Sequence, residues 1–94
     1  MTQTDKLQKI VEIIQENKTI SKHIIKSWQA NYGMAPITIW DTSSATIEIF
    51  VDTDKNIFSK TLEKLIKENS CLIKDAYFVK SDGSCHSFIV IKWF

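Results

Sequence analysis

Four side chains in this sequence have the chemistry for nucleophilic or metal-centred work: His23, Cys71, Cys85 and His86. Two of them are neighbours in the stretch "SDGSCHSFIVIKWF", Ser81 to Phe94. A thiol beside an imidazole can make a thiolate nucleophile, provided the base comes within about 2.6–3.2 Å. The stretch alternates like a β-strand, and successive strand residues point to opposite faces. On that reading Cys85 and His86 diverge, and a catalytic dyad is not expected. The four residues also lack the C-x-x-C or H-x-x-x-H spacings that set two ligands on one ion. Both cysteines read as small, partly buried, reduced thiols. No catalytic residue, metal site or cofactor is expected.

Nothing else in the chain carries enzyme chemistry. Two glycines are too few for a phosphate-cradling loop, and there is no nucleophile elbow. All twelve basic residues are lysines, so the rigid bidentate fork that reads guanine or clamps phosphate is missing. A net charge of +1 sets up no field that would draw the chain to nucleic acid or to a membrane. The polar start "MTQTDKLQKI" does not read as a signal peptide, and no apolar run reaches the ~18 residues of a span. A cytoplasmic protein is expected, with residues 1–94 forming a single domain.

The elements that position these side chains follow from periodicity. Thr4 can cap a helix whose apolar positions Leu7, Ile10, Val11 and Ile14 keep helical spacing. The stripe resumes at Ile20, Ile24, Ile25 and Trp28 and closes near Gly33, as one bent helix or as two, the second capped by Thr19 or Ser21. After Pro36 the period changes to two. "ITIW", a turn at "DTSS" and "ATIEIFV" read as a hairpin rich in β-branched residues. "DTD" at Asp52–Asp54 would cap a helix running to about Asn69, with Phe58, Leu62, Leu65 and Ile66 on one face. A second hairpin follows around Asp82-Gly83, a two-residue turn signal. The order α-β-β-α-β-β with tight hairpins predicts an α+β two-layer sandwich: a mainly antiparallel four-stranded sheet with helices on one face.

A two-residue turn would set Phe78 opposite Ser87, Ala76 opposite Ile89 and Leu72 opposite Trp93 on one face of the last hairpin. The other face would pair Val79 with His86, Tyr77 with Phe88 and Ile73 with Lys92. Neither face is cleanly polar, yet the helices can cover only one. The face with Phe78, Ala76, Ile89, Ile91 and Trp93 reads as core, and the C-terminal pair Trp93-Phe94 reads as packed. The other face leaves Tyr77, His86 and Phe88 among charges, the mixture that suits a binding surface, since aromatics anchor and charges select. The C-terminal strand is expected at the sheet edge, where it could pair with a second copy.

Lys18, Lys22 and Lys26 are spaced by four and would share a helical face, a second candidate surface for an acidic partner or a phosphate backbone. "IVEIIQENKTISKHIIKSW" reads like the first two helices of a helix-turn-helix, but the proline and β-branched residues that follow favour strand over a recognition helix. A base-stacking RRM sheet is disfavoured by element order and by the lack of its aromatic-and-glycine pattern. What remains is a small non-enzymatic interaction protein whose partner is another protein or a second copy of itself, with no membrane partner. Its Ile-, Lys- and Asn-rich composition is that of an AT-rich genome. Small chains of that kind are often phage or mobile-element inhibitors, antitoxins or immunity proteins. The alternative is a nucleic-acid-binding regulator using the Lys18/Lys22/Lys26 face. Cys85→Ser and His86→Ala should each leave activity unchanged unless they lie in the interface, and elemental analysis should find no stoichiometric zinc.

Overall fold

The computed structural model describes residues 3–25, 37–39, 45–83 and 86–94. Their helical start divides in two at Asn17, into α1 (Gln3–Glu16) and α2 (Lys18–Ser21). Asn17 is extended (φ −77°, ψ 108°), and its side-chain oxygen accepts the Ile20 N–H at 3.1 Å. The second cap is therefore Asn17 rather than Thr19 or Ser21, and Thr4 lies inside α1 rather than before it. The break leaves the apolar stripe in phase, since Ile10, Ile14 and Ile20 are all fully buried.

Beyond Ser21 the expected helix does not continue through the described residues 22–25. Ile24 instead bridges Val51, the Ile25 N–H donates to the Phe50 carbonyl at 3.2 Å, and the Asp52 N–H donates to the His23 carbonyl at 2.9 Å. Two adjacent β-branched residues are weak helix formers, and here they find a strand end with open backbone groups. Trp28, Gly33 and the "DTSS" turn lie outside the described residues.

The fold is α+β, with three helices and an antiparallel sheet among the described residues. β2 (Thr46–Phe50), β4 (Phe88–Trp93) and β3 (Ile73–Val79) lie side by side in that order, and the three-residue β1 (Ile37–Ile39) pairs with β2. The stretches where a recognition helix would sit, 37–39 and 46–50, are strand. The C-terminal strand β4 is central, not at the edge as its place in the chain suggested. The long connection through α3 (Ser59–Glu68) carries β3 to the outside, so the last strand slots between β2 and β3. All three helices deliver buried residues to one cluster: Ile10, Ile14 and Ile20 from the first two, Leu62 and Leu65 from α3. The sheet answers with Ile47, Ile49, Ala76, Ile89, Ile91 and Trp93.

Two local departures from expectation shape the last hairpin. Val79 pairs with Phe88 and Phe78 with Ile89, a register two residues away from the one a two-residue Asp82-Gly83 turn would impose. A slip of two keeps every side chain on its expected face, so the core face survives while the pairs change. At the other end, a bulge between Ile73 and Asp75 puts Lys74 and Asp75 both outside and turns Ile73 inward against Trp93, with Ile73 only 1% exposed. Of the C-terminal pair, Trp93 is buried and Phe94 is exposed.

The longer loop is held by Ser87, the one buried polar residue among those described. Its hydroxyl accepts the Ser81 N–H at 2.8 Å and donates to an Asp54 carboxylate oxygen at 2.7 Å, while its carbonyl accepts the Val51 N–H at 3.0 Å. Gly83, at φ +98°, makes the turn inside this loop, and its N–H donates to the Ser81 hydroxyl at 3.0 Å. Asp54 is thus spent on the loop and does not cap α3. The N-cap position falls to Phe58, whose side chain makes no capping bond but is fully buried in the core. Ser87→Ala should leave the Ser81 N–H without its partner and cost about 1–2 kcal/mol. That is a fall of roughly 5–15 °C in melting temperature for a domain of this size. Thermal unfolding of Ser87→Ala, Asp54→Ala and the double variant should show less than additive losses.

Candidate partner-binding surface

The face of the sheet turned away from the helical cluster is built from three cross-strand rows. Val79, Phe88 and Phe50 form the first, Tyr77, Val90 and Glu48 the second, and Asp75, Lys92 and Thr46 the third. The rows run from apolar at one end to charged at the other. Phe50 and Phe88 meet edge-to-face at 5.9 Å between ring centroids, and the Lys92 ammonium stands 5.9 Å from the Tyr77 ring centroid. Val90 is 6% exposed and Tyr77 40%, with Phe88, Phe50 and Val79 between them. The result is an apolar strip with one projecting tyrosine and a rim of Glu48, Asp75 and Lys92. Aromatic anchors ringed by charge are what a protein-recognition surface needs.

The predicted residues fall in three places. Tyr77 and Phe88 share this face as diagonal neighbours, not as the directly opposed pair a two-residue turn implies. His86 is exposed in the loop before β4, outside the strand, so strand alternation does not govern it. Cys85 lies outside the described residues. Lys18 and Lys22 are exposed one turn apart, joined by the Lys22 N–H to Lys18 carbonyl bond at 3.2 Å. They belong to the helical layer, since Ile20 between them is in the core. The chain leaves the helix by Ile24, so the spacing-of-four argument stops at Lys22, and Lys26 lies outside the described residues. Phe50 was missed by sequence reasoning, whereas Val90 stands on the face that alternation gave it. The signal for Phe50 was present in "ATIEIFV", where an aromatic stands on the face otherwise occupied by Thr46 and Glu48.

Among the described residues no group of three or more His, Cys, Asp or Glu side chains could hold a metal ion. Cys71 is exposed and unpaired, and His23 is committed to a structural contact. The His23 Nδ1 lies 2.9 Å from an Asp52 carboxylate oxygen, and the ring stands edge-on to Phe58 with centroids 5.8 Å apart. Together with the main-chain bond between the same two residues, this clamps the end of α2 to the end of β2. No described helix is long and apolar enough to cross a membrane. Comparison with protein-family models, with curated proteins and with solved structures returned no match. Removing the clamp by His23→Ala should speed amide exchange at Ile25 and Asp52 several-fold while the β2–β4 amides stay protected, which hydrogen-exchange NMR would read residue by residue.

Proposed function

We propose that this protein is a non-enzymatic interaction module that works by occupying the surface of a partner protein through the face bearing Tyr77, Phe88 and Phe50. One observation carries the reading: the strip of Val79, Phe88, Phe50 and Val90, with Tyr77 40% exposed, lies on the sheet face opposite the helical cluster. The rim of Asp75, Lys92 and Glu48 would set orientation, and His86 borders the same end of the hairpin. On this reading the fold is a four-stranded two-layer sandwich with β1 as the fourth strand, and its setting is the cytoplasm. Inhibitors of the phage or mobile-element kind, antitoxins and immunity proteins act in this way, by blocking a surface rather than by chemistry.

The competing reading is a regulator that holds nucleic acid with Lys18, Lys22 and Lys26, of which Lys18 and Lys22 stand one turn apart where α2 ends. Two reagents separate the classes. Tyr77→Ala combined with Phe88→Ala should weaken a partner captured from the native host by about 2–4 kcal/mol, a 30- to 1,000-fold loss by calorimetry, with the melting temperature little changed. Unchanged affinity together with a large loss of thermal stability would assign these side chains to the core and move the interface elsewhere. Band shifts on duplex and single-stranded DNA at two salt concentrations should show no binding, and steep salt-dependent binding would favour the regulator.

A further inference from the structure

The two outer edges of the sheet are treated differently. On the β2 side, β1 and the stretch 23–25 take up the outward backbone groups. On the β3 side, hydrogen-bond parity shows what is left. The Trp93 N–H goes to the Ala45 carbonyl and the Ser87 carbonyl to the Val51 N–H, so odd residues of β4 point toward β2. The Phe94 N–H goes to the Leu72 carbonyl, so even residues point toward β3. The partners of Phe88, Val90 and Lys92 are Val79, Tyr77 and Asp75, whose backbone groups therefore point inward. Ala76 and Phe78 point out. Their edge opens on a groove of about 260 Å³ whose other wall is α3, through Ser59, Leu62, Glu63 and Ile66.

This edge is only half guarded. The Asp75 carboxylate accepts the Ala76 N–H at 2.9 Å, and the bulge at Lys74 ends regular pairing on that side. Among the described residues no partner is set against the Phe78 N–H and carbonyl or against the Ala76 carbonyl. We propose that the occupant of this edge is a second copy of the chain, with β3 pairing antiparallel to β3 across a two-fold axis centred on Phe78.

Register and charge select that arrangement. Centring on Phe78 sets its N–H and carbonyl against those of the second copy, and it sets the Ala76 carbonyl against the Lys80 N–H. It places Tyr77 against Val79 of the second copy twice, covering the exposed tyrosine with a β-branched neighbour. It also brings Lys74 toward Asp82 of the second copy. Centring on Tyr77 would oppose Lys74 to Lys80. The inference goes beyond the proposed function: it concerns the edge, whereas partner binding concerns the face.

The wild-type chain supplies the first test. Amide exchange at Phe78 should slow at least tenfold between about 10 μM and about 500 μM, in step with a rise in scattering mass from 10.9 kDa toward twice that value. The register is tested with Tyr77→Cys and Val79→Cys chains, both carrying Cys71→Ser and Cys85→Ser. Residues opposed in a non-hydrogen-bonded pair lie about 4.5 Å apart between Cα atoms, within disulfide range. The equimolar mixture should therefore cross-link well above either chain alone. A monomer throughout, or a dimer with Phe78 exchange unchanged, overturns the proposal, as does a mixture that cross-links no better than its components. Edge protection that appears only with an added extended peptide would also overturn self-pairing. Phe88→Ala, on the central strand, should leave Phe78 protection as it is, so failure of face binding and failure of edge pairing are read separately.

Discussion

A sheet has two faces, and the described helices cover one. That constraint bears hardest on β4, the central strand, whose residues are apolar on both sides. Ile89, Ile91 and Trp93 go to the helices, and Phe88 and Val90 go to the far face. Burying the first set drives folding, since each large side chain removed from water contributes about 1.5–3 kcal/mol. The second set gains little from the described helices. Among the described residues its neighbours lie within the sheet: Phe50 against Phe88, and Tyr77 beside Val90 with Lys92 near the Tyr77 ring.

The register that sets the pairs on this face depends on a buried hydroxyl. The pattern Asp82-Gly83 favours a two-residue hairpin, but a turn that tight would set Ser87 opposite Phe78 within the ladder. The structure instead pulls Ser87 out of β4 and uses it as a junction between Ser81, Asp54 and Val51. The segment 51–54 and the loop 81–87 meet at Ser87, whose hydroxyl has both hydrogen-bonding roles filled, which is what makes a buried serine tolerable. The bond that holds this junction to Asp54 also removes that carboxylate from the start of α3, where sequence logic had placed it.

Which parts of the molecule could be read from the chain follows from the range of the forces involved. The stripe of Ile10, Ile14 and Ile20 and the alternation in β2 and β4 are local periodicities enforced by burial, so core residues and element types were evident. The choice of Asn17 over Thr19 or Ser21 as a cap was a contest among equivalent local signals. The exit from helix at Ile24 was decided by a long-range partner, Val51, which local propensity does not see. Strand order was beyond reach for the same reason, and the placing of β4 at the edge failed with it. Tyr77 and Phe88 still share one sheet face because a slip of two residues preserves faces. Phe50 was missed because its strand had been read as ordinary alternation.

Face and edge are linked through Tyr77. On the isolated chain its ring is 40% exposed at the end of the apolar strip, with Lys92 alongside. Pairing of β3 with a second copy would extend the strip across the two-fold axis and convert one projecting tyrosine into the centre of a longer, continuous face. A partner that spans the axis would then meet two strips at once, and linked sites raise apparent affinity without any new type of contact. A partner that needs Tyr77 to itself would compete with pairing instead. The sign of that coupling follows from whether binding of a partner shifts the monomer–dimer balance, because linkage requires each equilibrium to move the other by the same factor.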